Sequence, residues 1–278
     1  MKKIIFLSIL SLLFTYCDIY DNDEITEDIK PFTEHVYVAH AGGAIIEGDR
    51  ILTYTNSLES ILLNYERGFR VFEIDFMLTE DGRLVAVHDW GHARTITNSS
   101  GEGRMTHEEW MSTKIYERYT PLDIDDIVNI MVAHKTIYIV IDTEESPDNM
   151  IAVFEEIYRA VKDVDIEIMD RIIPQIYWPS MLEQMSTVYN YIYIIYTLYR
   201  NVSHANNQII EFVNEHANII AVCMWNSRAT EEFVRGLSEI GKPVYVHTVN
   251  SLKEALELRG RGVHGFYTDY LFEDLDIQ

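Results

Sequence analysis

Cysteine is almost absent from this chain: of 278 residues, only Cys17 and Cys223 carry a thiol. That excludes a disulfide-stapled scaffold and a zinc site of the Cys-x-x-Cys kind. Cys223 lies within Ile219-Ile220-Ala221-Val222-Cys223-Met224, where an isolated thiol reads as a small core residue. Proline is sparse too, six in all, and no long linker interrupts residues 35–278. Cations are few: 22 Lys+Arg stand against 45 Asp+Glu, a formal net charge of −23. A general nucleic-acid binder needs Lys and Arg to displace counterions from phosphate, so that class is excluded. A hydrophobic content of 47% with 24% charged residues fits a folded globular protein rather than a disordered one.

The start of the chain is set apart from the fold. After Met1-Lys2-Lys3, the apolar run at residues 4–14 is too short to cross a bilayer as a resident helix and reads as a secretory signal over residues 1–16. Cys17 stands where a bacterial lipoprotein signal would end, and Leu13-Phe14-Thr15-Tyr16-Cys17 resembles a lipobox, with Tyr16 where a small residue is usual. A plain signal peptide holding a cysteine is the alternative. Residues 18–28 carry six acids and no base, so residues 17–34 are expected to form a solvated acidic tether. The expected location is the bacterial cell envelope, as a periplasmic or outer-membrane lipoprotein, or outside the cell. Membrane contact would come through a lipid on Cys17.

Short β-branched and aromatic runs recur through residues 35–278, at 36–40, 70–76, 137–141, 171–177, 191–196, 219–224, 244–248 and 265–268. Most are near-continuously apolar, as strands buried on both faces of a parallel sheet must be. Amphipathic segments lie between them, for example 57–67, 149–161, 231–240 and 251–259. Eight such strands in about 250 residues point to a single (β/α)8 TIM barrel. A doubly wound open sheet would give the same periodicity. One connection departs from the pattern: six or seven residues after 70–76 cannot make a parallel crossover, but Asp81-Gly82 is a two-residue hairpin signal. With that turn, Thr79 pairs with Leu84 and Asp75 with His88, and the hairpin arm returns His88 to the mouth of the barrel.

Three strand ends carry groups suited to chemistry. His40 precedes a tight Ala41-Gly42-Gly43 turn, Glu73 and Asp75 are spaced i and i+2 on one strand face, and Asp142 is followed by Glu144. Carboxylates from two strand ends suit a hard cation such as Mg²⁺ or Ca²⁺, and His40 and His88 could flank it as general acid and base. Singly, a Glu-x-Asp pair is most often an exposed edge and a strand-end histidine most often structural; convergence on one barrel mouth favours function. His35, His92, His107, His134, His204 and His216 fall in helix or loop patterns and are expected to have no catalytic part.

Across nearly all of residues 35–275 these pieces resemble the glycerophosphodiester phosphodiesterases of the phospholipase C-like barrel superfamily. Ala39-His40-Ala41-Gly42-Gly43 resembles the family's Ala-His-Arg-Gly opening, and Asn56-Ser57-Leu58-Glu59-Ser60 its Asn-Thr-Leu-x-Ala helix start. Phe72-Glu73-Ile74-Asp75-Phe76, Leu78-Thr79-Glu80-Asp81-Gly82 and Val87-His88-Asp89 are similar to the Glu-Leu-Asp-Val, Leu-Thr-x-Asp-Gly and second-histidine motifs. Val246-His247-Thr248-Val249-Asn250 and the stretch ending Tyr267-Thr268-Asp269 resemble Trp-Thr-Val-Asn and Ile-x-Thr-Asp. The resemblance implies one divalent cation on Glu73, Asp75 and Asp142, with His40 and His88 as the acid–base pair. It also implies a small glycerophosphodiester or phospholipid-derived diester as substrate and phosphoric diester hydrolysis as the reaction. A monomer is expected.

Departures from the family pattern fall on the phosphate contacts. Its arginine after the first histidine is Ala41, its third acid is Asp142 rather than Glu, and its following lysine is Glu144. His247 replaces a tryptophan. Replacement contacts are sought at His247, Arg94 and Glu144, and also at Arg200 and Arg228 just past strand ends. A phospholipase D-like lyase of the sphingomyelinase D type, which forms a cyclic phosphate, and a non-catalytic metal- or ligand-binding barrel are the alternatives.

Overall fold

The eight apolar runs close on themselves as parallel strands. The computed structural model describes residues 30–200 and 204–272; the signal segment, Cys17 and most of the acidic tether lie outside them. Elements follow in the order β1 (Tyr37–Ala39), β2 (Ile45–Glu47), β3 (Arg50–Leu52), α1 (Leu58–Glu66), β4 (Val71–Leu78), β5 (Leu84–Ala86), α2 (Trp90–Thr97), α3 (His107–Met111) and α4 (Ile124–Ala133). Then come β6 (Tyr138–Thr143), α5 (Met150–Lys162), β7 (Ile172–Ile176), α6 (Ser180–Ser186), β8 (Ile194–Thr197), α7 (Asn206–Glu215), β9 (Ile219–Trp225), α8 (Glu231–Glu239), β10 (Val244–His247), α9 (Leu252–Gly260) and β11 (Gly265–Thr268). The ladder runs β4-β6-β7-β8-β9-β10-β11-β1, and β1 returns to β4 through Ala39 and Phe72. This closed (β/α)8 barrel excludes the doubly wound sheet.

Strand alternation decides what faces the axis. On β4, Phe72, Ile74 and Phe76 pack outward against the helices, while Val71 points inward with Val38, Val140 and Ile173. Glu73 and Asp75 follow Val71 at i+2 and i+4, so the same face turns polar toward the C-terminal end. Register aligns Val71 with Tyr138, Glu73 with Val140 and Asp75 with Asp142, setting two carboxylates side by side at one level. Helices bury matching stripes: α5 buries Val153, Phe154, Ile157 and Val161, and α8 buries Phe233, Val234 and Leu237.

The hairpin differs from expectation by one residue. The observed ladder pairs Leu78 with Leu84, Met77 with Val85 and Phe76 with Ala86. Thr79 closes a three-residue loop: its N–H donates to Arg83 O at 2.8 Å, its Oγ1 donates to Asp81 Oδ1 at 2.7 Å, and Gly82 stands at φ +80°. A three-residue loop with a left-handed glycine competes with the two-residue turn, and the Thr79 side chain selects it. Val87, not His88, therefore lies opposite Asp75, its N–H donating to Asp75 O at 2.9 Å.

Two features gave no periodic signal. The β2–β3 hairpin and the segment from α2 through Tyr119 share a second small core, with Trp90 and Trp110 edge to face at 6.1 Å and Ile45, Ile96 and Ile115 around them. It packs against the hairpin arm through Val85 and Val87.

Candidate active site

The C-terminal ends of the strands surround a cleft of about 480 Å³. Of the residues expected in the site, Glu73, Asp75, Asp142, His40, His88, Glu144 and His247 all line it. Glu73, Asp75 and Asp142 are buried, and each offers an oxygen within 4.8 Å of the others. Three carboxylates so placed repel one another and have lost water, an arrangement that is costly without a compensating cation. Burial, with Asp75 and Asp142 adjacent, raises Glu73 well above the usual carboxylate range. Burial, Glu144 and Asp75 push Asp142 up to about 8.

Each carboxylate is oriented by a neighbour. The Ala41 N–H donates to Glu73 Oε2 at 2.7 Å, from a turn in which Ala41 (φ +50°), Gly42 and Gly43 are all left-handed. Asn56 Nδ2 donates to Asp75 Oδ2 at 2.9 Å, and the Asp75 N–H donates back to Asn56 Oδ1 at 3.1 Å. Asp142 accepts from the hydroxyls of Tyr177 and, at 2.6 Å, Tyr199. Glu73 Oε1 is buried with no hydrogen-bond partner. That orphaned oxygen, in an all-carboxylate donor set, fits a hard divalent cation such as Mg²⁺ or Ca²⁺.

The two histidines share one design. His40 Nδ1 bonds Asp269 Oδ1 at 2.8 Å, and Asp269 is itself fixed by Asn250. His88 Nδ1 bonds Asp89 Oδ2 at 2.9 Å, while Asp89 Oδ1 caps α2 by accepting from the His92 N–H at 2.7 Å. Holding Nδ1 on a carboxylate leaves Nε2 as the ring nitrogen able to exchange a proton. Burial opposes charge on His88, but Asp75, Asp89 and Glu144 outweigh it and hold its pKa above the ordinary value. Tyr54 stands edge-on between them, its ring 4.7 Å from His40 and 5.2 Å from His88.

Asn56, Asp269, Asp89 and Tyr54 received no role from the sequence. The first three lie inside quoted motifs, so their positions carried a signal; Tyr54 carried none.

The expected phosphate contacts divide. His247 lines the cleft, its ring packed at a tilt against Trp225 at 4.2 Å and Tyr199 at 5.0 Å, with a buried Nε2 that has no hydrogen-bond partner. Burial, and to a lesser degree His40, lowers its pKa to about 3, so it is a neutral imidazole. Glu144 ion-pairs with Arg200, and both line the cleft. Arg94 does not line it: its guanidinium donates to the carbonyls of Ser100 at 2.5 Å and Gly103 at 3.1 Å, bracing the loop after α2. Arg228 donates to His204 O at 2.6 Å, also outside the cleft.

Comparison with known proteins agrees with this geometry. The model of the glycerophosphoryl diester phosphodiesterase family matches residues 47–272. YhdW of Bacillus subtilis (strain 168), a candidate glycerophosphodiester phosphodiesterase, is 22% identical over 220 residues, which cover 77% of this chain and 88% of that protein. A candidate glycerophosphodiester phosphodiesterase from Galdieria sulphuraria superposes with a TM-score of 0.71 at 15% identity, over 84% of this chain and 94% of that one. A phosphodiesterase from Oleispira antarctica, solved with its product sn-glycerol-3-phosphate, does so with a TM-score of 0.66 at 17% identity, over 85% of this chain and 93% of that one. The likeness to the solved structures is one of fold.

Proposed function

The chain belongs to the glycerophosphoryl diester phosphodiesterase family, and we propose that it hydrolyses a glycerophosphodiester, or a related phospholipid-derived diester, with His40 and His88 as its acid–base pair. It is a phosphoric diester hydrolase. What supports the finer reading is one observation: both histidines are held through Nδ1 by aspartates and line the cleft of the buried carboxylate cluster.

Glu73, Asp75 and Asp142 would hold the divalent cation, Mg²⁺ or Ca²⁺. When bound, such a cation supplies positive charge that stabilises the phosphoryl oxygens in the transition state. His40 accepts a proton at Nε2 from the attacking water as the new P–O bond forms. His88, whose carboxylate neighbours favour its charged form, gives a proton from Nε2 to the leaving alcohol oxygen as the old P–O bond breaks. Asp269 and Asp89 keep both rings in the required tautomer and orientation. Tyr54 spaces the rings and keeps them apart across the cleft.

The test is hydrolysis of glycerophosphodiesters in Mg²⁺ or Ca²⁺, followed by phosphorus NMR. A phosphate monoester is the expected product; a persistent cyclic phosphate would reassign the protein to the lyase class. His40→Ala and His88→Ala are each expected to lower kcat by about 100-fold or more with folding intact. Near-normal turnover in either variant would remove the mechanism.

The secretory signal over residues 1–16 and the acidic tether support a cell-envelope or secreted enzyme, with Cys17 lipidated and residues 35–278 forming the catalytic unit. Each barrel carries the whole candidate site, which supports action as a monomer.

A further inference from the structure

An anionic diester entering this cleft meets four carboxylates: Glu73, Asp75, Asp142 and Glu144. Among the described residues that line it, Arg200 is the single permanent cation. Arg200 lies three residues past β8, its guanidinium over the Tyr177 ring at 4.4 Å and near the Tyr199 ring at 5.7 Å, with one nitrogen on Glu144 Oε2. The same two tyrosines donate their hydroxyls to Asp142. A tyrosine platform thus holds the guanidinium beside the carboxylate cluster, and Glu144 fixes its rotation. A guanidinium carries five N–H donors in a planar fork, more than one carboxylate engages. Residue 41, beside the first histidine, is a buried alanine and offers no competing charge.

We propose that Arg200 binds the phosphoryl oxygens of the substrate and that Glu144 is the positioning residue that holds it there. This rests on the phosphodiesterase reading and deepens it. Glu144 does not contact substrate; it converts a flexible arginine into an oriented one. The phosphate is then held between the carboxylate cluster's side of the cleft and a guanidinium carried by the loop after β8.

The test uses the full chain loaded with Mg²⁺ or Ca²⁺, read two ways: steady-state kinetics on glycerophosphoglycerol, and calorimetric binding of sn-glycerol 3-phosphate. Arg200→Ala is expected to raise KM by about 10- to 100-fold with kcat changed far less, and to weaken monoester binding by a similar factor. Arg200→Lys should recover part of the loss, since a point charge replaces a fork. Glu144→Gln should raise KM in the wild-type background and do nothing further on Arg200→Ala, the signature of a residue acting through its partner. Glu144→Lys combined with Arg200→Ala should regain affinity, because side chain 144 reaches the place the guanidinium occupies. KM and monoester affinity within twofold of wild type in Arg200→Ala would overturn the assignment. An equal cost of Glu144→Gln in both backgrounds would remove the positioning role. No turnover by the wild type, with monoester binding still weakened by Arg200→Ala, would count against the phosphodiesterase reading and leave the anion site standing.

Discussion

Asp142 is almost out of reach of water, lies beside Asp75 and Glu144, and has its carboxyl raised to about 8 before a cation arrives. Its unfolded value is about 3.9, so between the two the native state binds the extra proton. The metal-free protein is therefore expected to lose stability as pH rises from about 4 to 8. A divalent cation requires the ionised carboxylate, so its binding should release protons and tighten over the same window. Calorimetry in two buffers of different ionisation enthalpy reads the protons, and thermal melts at pH 5 and 8 read the stability. The cation should raise Tm more at pH 8, and Asp142→Asn should shrink the difference, leaving the part that the raised Glu73 contributes. An affinity unchanged between pH 6 and 9 would contradict the assignment. The sequence revealed the carboxylates that cluster in the cleft but not their supports. A carboxylate in an apolar strand is conspicuous, whereas Asn56, Asp269 and the Tyr177 and Tyr199 hydroxyls look ordinary until folding brings them into contact.

The turn after β1 and the hairpin after β4 show how similar glycines carry different weight. Gly43 is at φ +81°, and a Cβ there would lie 2.5 Å from Asn64 Nδ2, whose amide braces the carbonyls of Gly42 and Ala44. Gly82 is at φ +80°, but a Cβ there would meet open space. Gly82→Ala should cost only the left-handed backbone penalty, about 1 kcal/mol. Gly43→Ala adds the collision and should cost roughly 2–4 kcal/mol by urea denaturation, with a loss of activity because Ala41 N–H orients Glu73. Equal costs for the two would mean that the β1 turn adapts. At this scale most of the barrel was legible: the strand expected at 219–224 is Ile219–Trp225, and that at 265–268 is Gly265–Thr268. The hairpin register was not, because a side-chain hydrogen bond from Thr79 chose between two permitted loops. Nor was the small core around Trp90 and Trp110, whose short helices and irregular loops have no period to read.

The whole molecule carries a net charge of −23 yet is assigned an anionic substrate. Net charge sets solubility and long-range approach, while affinity is set by nearby charges under short-range screening. Six of the acids fall within residues 18–28, and three more form the candidate cation site. If Cys17 carries a lipid, Cys17→Ser should move the protein from the membrane fraction to the soluble fraction with catalytic constants unchanged. Wild-type protein found wholly soluble, with an N-terminus other than residue 17, would refute the anchor. The expected barrel and the convergence of its strand ends are molecule-scale facts. His40 and Asp269 touch across 229 positions of sequence because β11 pairs with β1.

By itself, the sequence determined which strands are buried on both faces, since only apolar runs survive there. It also determined that Glu73 and Asp75 would share a face, since strand alternation has a fixed period of two; the β4–β6 register brought Asp142 beside them. Tertiary structure decided the rest. Barrel closure supplied His40 and each carboxylate with its orienting partner, whereas His88 takes Asp89, its neighbour in sequence. It turned Arg94, on α2, toward the loop that follows that helix and Arg200, past β8, toward the cleft. A charged side chain goes to whichever acceptors folding places within its reach, and those acceptors come from segments that no local pattern connects.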